Sequence, residues 1–256
     1  MTAMTSDFPC DVFDHREPAS GTWNMALDEA LLERALAEGI GHFRLYRWSA
    51  PTISLGYFQD YDPAAWPEPL RGLDVVRRLS GGGAILHHHE LTYSCSLPPG
   101  HPYSGDPTRL YVDVHQVLIA QLAKQNFECR FRGTPKSFSE GVPFLCYSRG
   151  DERDLVHRSH KIVGSAQRRR KGAILQHGSV LLRRSEFAPE FPGVEDLADD
   201  EVSLSEDSLC EDVLTGASGL FPLARLRLSN LEEASDRARK LVEERYQFVG
   251  KRFRKS

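Results

Sequence analysis

The sequence predicts an α/β fold, and three observations carry that expectation. Short strand-like runs recur from His42 to Leu182, three stretches read as amphipathic helices, and no internal repeat or long flexible linker interrupts them. With 256 residues the chain is long enough to bury a core, and the expectation is a single domain over residues 1–256. A hydrophobic content of 40% and a charged content of 27% suit a soluble globular protein. A net charge of −4 argues against a general nucleic-acid binder, which carries a basic excess. No apolar run approaches a membrane span, and the start Met1 to Asp7 lacks the charged-then-apolar order of a signal peptide, so a cytoplasmic location is expected. The five cysteines are far apart and odd in number, which suggests neither a disulfide framework nor a zinc site.

The first helix starts after Ser20 or Thr22, both able to cap it, and Gly39 is its natural stop. Its Asp28 and Glu29 could be catalytic, but acids on a solvated helix face are the preferred reading. His42 to Trp48 and Pro51 to Gln59 follow as strands, the second breaking at Gly56, and Asp62 to Pro69 is a surface connection. Val75-Val76, Ala84 to Leu86 and Leu91 to Leu97 are three more strands. Leu110, Val114, Leu118 and Leu122 mark a second helix ending near Asn126. Cys129 to Phe131 looks like a short strand and Gly133 to Gly141 like a polar loop. Asp154 to Val156 and Lys161 to Gly164 form a hairpin, and Gly172 to Leu182 pairs closely with it. Arg168 to Lys171 reads as a solvated turn or a docking patch for an acidic partner. Ser185 to Leu214 contains no Lys or Arg and reads as a solvated acidic segment with short helices. Asn230 to about Tyr246 is the last helix, followed by the basic tail Lys251 to Lys255.

The chain is organised around Arg77 to Leu97. Three successive glycines, Gly81 to Gly83, cost backbone entropy without burying a side chain, so a special geometry is expected of them. Glycine reaches positive φ and lets a ligand lie on the backbone, where N–H groups can face an anion or oxyanion. With Arg77, Arg78, Ser80 and His87 beside them, these residues favour a ligand-binding loop over a plain hairpin. Cys146 has apolar neighbours on one side and Arg149 on the other; by itself it reads as either a nucleophile or a buried structural cysteine. Lys161 could be drawn over a pocket or could guard a sheet edge. His87-His88-His89-Glu90 invites a metal, but neighbours on a strand point to opposite faces, and no metal is expected. His87 or His177 as a polar group lining a pocket is the preferred reading.

Taken together, these stretches resemble the lipoate–protein ligase and octanoyltransferase family. The residues that carry the resemblance are Arg77-Arg78-x-Ser80-Gly81-Gly82-Gly83-Ala84-Ile85-Leu86-His87, Glu90 to Ser94, and Lys161 to Gln167 with Gln176 to Ser179. Asn24-Met25-Ala26-x-Asp28-Glu29-Ala30 and Tyr46 to Gln59 match its first helix and early strands, so the match runs over about residues 20–185. The resemblance implies the biotin/lipoate ligase catalytic fold, a mixed and largely antiparallel sheet flanked by helices. Its glycine loop and lysine would line an acyl tunnel. Because Cys146 precedes Lys161 and is followed by the aromatic Tyr147, the chain is similar to the single-domain, cysteine-dependent octanoyltransferases. Little chain follows the matched region to form the additional domain that lipoate ligases usually carry. The usual glycine before the lysine is missing from His157-Arg158-Ser159-His160, a departure from the family pattern.

What the resemblance implies for chemistry is transfer of an octanoyl group from octanoyl-acyl carrier protein to a lysine of a lipoyl domain, such as glycine cleavage H protein or the E2 subunit of a 2-oxoacid dehydrogenase. Cys146 would be the nucleophile and Lys161 the group that binds the acyl carbonyl and its oxyanion. Arg77, Ser80, Gly81, Gly82, Gly83, Ala84, His87, Gly164, Ser165, Ala166, His177 and Gly178 would bind substrate, with Leu86 and Val163 as further pocket wall. No cofactor, nucleic acid or membrane is expected. An ATP-dependent lipoate ligase, an amidotransferase acting between lipoyl domains and a lipoyl-domain-binding pseudo-enzyme are the alternatives.

Overall fold

In the computed structural model, residues 7–134, 144–148, 150–199, 204–227 and 232–247 are described. Among these described residues there are eleven strands and six helices. The strands are β1 (Cys10–Ala19), β2 (Gly41–Trp48), β3 (Thr52–Leu55), β4 (Asp74–Arg77), β5 (Ile85–His87), β6 (Glu90–Leu97), β7 (Arg130–Phe131), β8 (Leu155–His157), β9 (His160–Arg170), β10 (Ala173–Leu181) and β11 (Ala224–Arg227). The helices are α1 (Gly21–Glu38), α2 (Pro102–Gly105), α3 (Pro107–Lys124), α4 (Val194–Leu197), α5 (Glu206–Ser218) and α6 (Glu232–Leu241), the last running on into a π turn, Val242–Tyr246. The main sheet has the order β11-β1-β2-β6-β10-β9-β8-β7 and is antiparallel except where β1 meets β11 and β2. A small second sheet, β4-β3-β5, carries the glycine loop between β4 and β5. The expected mixed, largely antiparallel sheet flanked by helices is what is found.

Side-chain alternation decides how the layers form. Along β2, Phe43 and Leu45 join one core with Leu110, Val114 and Leu118 of α3 and Val213 of α5, while Tyr46 and Trp48 join another with Met25, Ala26 and Ala30 of α1. Helix α1 is set by its ends: the Trp23 amide donates to Ser20 Oγ at 3.3 Å, and Gly39 closes it at φ +70°. Helix α3 starts at Pro107, where Asp106 accepts from the Arg109 amide at 3.0 Å.

Four expectations are corrected. Asp28 and Glu29 are not solvated: both are buried, Asp28 against Arg44 at 2.9 Å and Glu29 against Arg170, Arg245 and Tyr246. Arg168 to Lys171 is not a solvated turn, because β9 continues through Arg170. Arg168 stacks over Tyr57, Arg169 donates to the Ser104 carbonyl, Arg170 reaches Glu29, and the turn falls at Lys171-Gly172 with φ +49° and +86°. The segment after Ser185 does hold short helices, but α5 buries Leu209, Cys210, Val213 and Leu214 against the sheet core. Strands β1 and β11 were not expected, since Asp11, Asp14, Arg16 and Glu17 hide the alternation of β1. Most of the loop Gly133 to Gly141, the residue Arg149, Asn230 and the basic tail lie outside the described residues.

Candidate active site

The glycine loop is held by its own arginines, which face opposite ways as successive residues at a strand end do. Arg77 turns away from the cavity and donates to the carbonyls of Gly56 at 3.0 Å and Gln59 at 2.6 Å. Arg78, 1% exposed, turns under the loop and donates to the carbonyls of Gly81 at 2.7 Å and Gly83 at 2.6 Å. Gly82 takes φ +94°, and the loop lies so close to Gly56 that a Cβ there would come within 2.1 Å of the Gly82 carbonyl oxygen.

This loop positions the cysteine. The Ala84 amide donates to the Phe144 carbonyl at 3.1 Å, and the Cys146 amide donates to the Ala84 carbonyl at 2.7 Å, forming a parallel bridge between Ala84 and Leu145. Cys146 therefore opens its 3₁₀ turn, Cys146–Ser148, strapped to the end of the glycine loop. The turn is anchored from below by Tyr147, whose hydroxyl donates to Glu90 Oε2 at 3.1 Å. Glu90 is buried and also takes bonds from Thr92 at 2.6 Å, Ser179 at 2.7 Å and His87 Nδ1 at 2.6 Å. Burial raises the Glu90 carboxyl, but His87 and these hydroxyls outweigh it and hold it below its ordinary value, so the carboxylate form is kept.

Lys161 approaches from β9. Its ammonium is 2.9 Å from Asp154 Oδ1, and the bare Gly164 makes room for it: a Cβ there would meet Lys161 Cε at 2.6 Å. Arg158 takes φ +53° in the hairpin turn, the left-handed conformation that a glycine would otherwise supply. On β10, His177 Nε2 is 2.5 Å from Ser80 Oγ and its Nδ1 is 3.4 Å from Asp28 Oδ2. The Asp28 carboxylate can only accept, so the His177 proton sits on Nδ1, toward Asp28, and the Ser80 hydroxyl, which accepts from Arg78 Nε at 3.2 Å, donates to Nε2. Burial pushes the His177 pKa below its ordinary value and Asp28 opposes that; the ring is a neutral wall group. Burial raises the Asp28 carboxyl, yet Arg44 and His177 hold it below its usual range.

These side chains meet around a cavity of about 480 Å³, within the range of small-molecule sites. Of the residues expected from the sequence, Cys146, Lys161, Gly81, Gly82 and His87 line it, as do Gly164, Ser165, Ala166, His177 and Gly178. Arg77, Ser80, Gly83 and Ala84 do not; they form the frame behind the wall through the bonds just described. Leu86 and Val163 are corrected too, since both point into apolar cores. Residues outside the expected substrate-binding set also line the cavity: Arg78, Met25, Tyr46, Ile85 and Tyr111 among them. The helical signal of α1 could have suggested Met25. Gly178 permits a close cross-strand approach, because a Cβ there would fall 2.1 Å from Ser165 Oγ, which is bonded to Tyr93 at 2.6 Å and His115 at 2.7 Å.

His88 and His89 sit in the turn between β5 and β6, not on a strand, so alternation does not separate them. Their rings stack at 3.6 Å, with ligand atoms within 4.8 Å of the Glu186 carboxylate, away from the cavity.

The model of the lipoyl protein ligase A/B catalytic domain matches residues 20–187. The chain belongs to the lipoyl protein ligase A/B catalytic domain family. Among curated relatives of this domain, the octanoyltransferase LipM of Carboxydothermus hydrogenoformans is 31% identical over 252 residues, covering 89% of this chain and 92% of its own. The LipM octanoyltransferase of Kyrpidia tusciae is 36% identical over 176 residues, covering 66% of this chain and 64% of its own, so that match spans just under two thirds of the relative. The bi-partite lipoate protein ligase of Thermoplasma acidophilum has the same fold, with a TM-score of 0.71 at 19% identity over 97% of this chain and 99% of its own. Lipoate-protein ligase A bound with ATP gives 0.70 at 22% identity over 96% of this chain and 98% of its own. Among the described residues, no helix of this family member is long and apolar enough to cross a membrane.

Proposed function

We propose that this chain transfers an octanoyl group from octanoyl-acyl carrier protein to the ε-amine of a lysine on a lipoyl domain, through a thioester on Cys146. The observation that carries this reading is that Cys146 and Lys161 line one cavity, with the cysteine backbone fastened to the glycine loop. In the first half-reaction the Cys146 thiolate attacks the carrier thioester carbonyl. A new carbon–sulfur bond forms, and the carrier thiol leaves and takes up a proton. In the second, the acceptor amine attacks the enzyme thioester, an amide forms, the amine loses a proton and the Cys146 thiolate returns. Thioester to amide is downhill, so the transfer needs no nucleotide.

Lys161 is assigned to the carbonyl oxygen. Asp154 and Gly164 fix where its ammonium lies, so it can meet negative charge developing on that oxygen without reorganising. The amides of Gly81 and Gly82 are the second donor set in this reading. Met25, Ile85 and Ala166 offer apolar wall to the acyl chain, at about 0.8 kcal/mol for each CH₂ buried.

The test is a transfer assay with octanoyl carrier protein and a lipoyl domain such as H protein, followed by acceptor mass without ATP. The expected result is an acceptor heavier by one octanoyl group. Product formed only from free acid and ATP contradicts the reading in favour of ligation; product formed only from an octanoylated lipoyl domain contradicts the donor.

A further inference from the structure

The turn between β5 and β6 carries two histidines that the transfer chemistry leaves unused. The residues on either side of them belong to the cavity frame. His87 bonds Ser54 Oγ at 2.7 Å and Glu90 at 2.6 Å, and Glu90 accepts from the Tyr147 hydroxyl at 3.1 Å. His88 and His89 instead border a small pocket shared with Arg183, Ser185 and Ala188 of the segment after β10. Glu186 of that segment is 66% exposed at its side chain, and its Oε2 lies 3.5 Å from His88 Nδ1. Among the described residues, His88, His89 and Glu186 are the one group of His, Cys, Asp or Glu whose ligand atoms gather within 4.8 Å of one another.

The spacing suits a metal ion. Nitrogen and oxygen ligands about 2.0–2.2 Å from a tetrahedral zinc ion stand about 3.4 Å apart, close to the His88–Glu186 separation. Ser185 Oγ, 3.0 Å from the same nitrogen, adds a neutral oxygen, and it is held by the Phe187 amide at 3.2 Å. The His89 ring already stacks on His88 with centroids 3.6 Å apart, and an exposed glutamate can swing to close the set. Arg183, the neighbouring cation, is turned to Glu195 at 3.5 Å.

We propose that His88, His89 and Glu186 form a binding site for a divalent transition-metal ion, outside the catalytic cavity. The donor set selects the class: an imidazole keeps a lone pair at neutral pH, and two imidazoles with one carboxylate suit zinc, nickel or copper(II). Magnesium and calcium prefer shells of oxygen alone. An ion there ties the β5–β6 turn to the segment after β10. Tyr147 and Phe191, with rings 5.5 Å apart, line the same small pocket, so the ion braces the cysteine turn from behind. Neither histidine takes part in the transfer assigned to the cavity, so the metal site stands or falls apart from that assignment.

The experiment is isothermal titration of zinc chloride into untagged, chelator-treated, full-length Cys146→Ala protein, which removes the cavity thiol as a competing ligand. One zinc ion per chain is expected, with micromolar affinity or tighter. His89→Ala and Glu186→Gln, each added to this parent, should weaken binding at least about tenfold, since loss even of an outer partner of a metal ligand costs that much. Zinc should raise the melting temperature of the parent and leave both variants unchanged. A large excess of magnesium chloride should not alter the zinc isotherm. Failure of the parent to bind zinc overturns the proposal, as does parent-like affinity in either variant with a native near-ultraviolet circular dichroism spectrum, or displacement of zinc by magnesium. Should His89→Ala not fold, Glu186→Gln decides, because its side chain lies at the surface.

Discussion

Tyr147, the residue that follows the cysteine, donates its hydroxyl to the buried carboxylate of Glu90 across 57 positions of sequence. The bond links the cysteine turn to the start of β6, the strand next to β10 and its His177. Tyr147→Phe removes this bond and little else. A hydrogen bond to a buried charged group is worth about 1.5–3 kcal/mol, so urea unfolding should show a loss of that size. Glu90 keeps three other donors, so the protein should still fold, while transfer falls about tenfold to a hundredfold as the cysteine loses its position. Unchanged transfer would mean the turn is held by its backbone bonds to Ala84 alone.

Asp154 is expected to matter through Lys161. Losing one donor to a developing oxyanion costs about 100-fold or more in kcat, and Lys161→Met should fall in that range. Asp154→Asn should lie between it and wild type, because the ammonium remains but is no longer fixed. Steady-state kinetics with the near-ultraviolet spectrum as a control check the order; an Asp154→Asn kcat equal to wild type would show that the Asp154 charge is not needed to place the lysine.

The glycines can be separated by space. Gly56→Ala would drive a methyl to within 2.1 Å of the Gly82 carbonyl, so the loop must shift and carry Cys146 with it. Thermal unfolding should show a loss of about 1–3 kcal/mol, with transfer falling more steeply. Gly81→Ala meets no atom within 4 Å and should keep the wild-type melting temperature. Equal melting temperatures for the two variants would refute the close packing at Gly56.

Acid should destabilise the fold through buried neutral histidines. Burial holds His42 down to about 3 and His115 to about 4, below the ordinary 6.5. Below pH 6.5 the unfolded chain takes up protons that the folded one refuses, so stability is full above that pH and falls as acid approaches the folded values. At pH 5 each histidine should cost about 2 kcal/mol, and the urea midpoint should drop between pH 7 and 5. His42→Leu should flatten that slope; an unchanged slope would place the titration elsewhere.

Much of the frame was legible because it is local. The ends of α1, the spacing in α3 and the alternation along β6 and β10 are decided by residues near one another. What was not legible depends on partners far along the chain. Glu29 is buried because Arg170 and Arg245 reach it from 141 and 216 positions away, and no pattern within a helix predicts that. Strand alternation says that Arg77 and Arg78 face opposite sides but not which side holds the cavity, so Arg77 was expected there and Arg78 is found. Cys146 remained ambiguous for the same reason: its neighbours in sequence are apolar, while the arginine and lysine beside the cavity come from the residue after β4 and from β9.

The central claim is that Cys146 carries the acyl group, and intact mass of the protein tests it most directly. After incubation with octanoyl carrier protein alone, wild type should gain the mass of one octanoyl group, removable by hydroxylamine, and Cys146→Ala should gain none. An adduct of the same size on Cys146→Ala, or full-rate transfer to the lipoyl domain by that variant, would contradict the account.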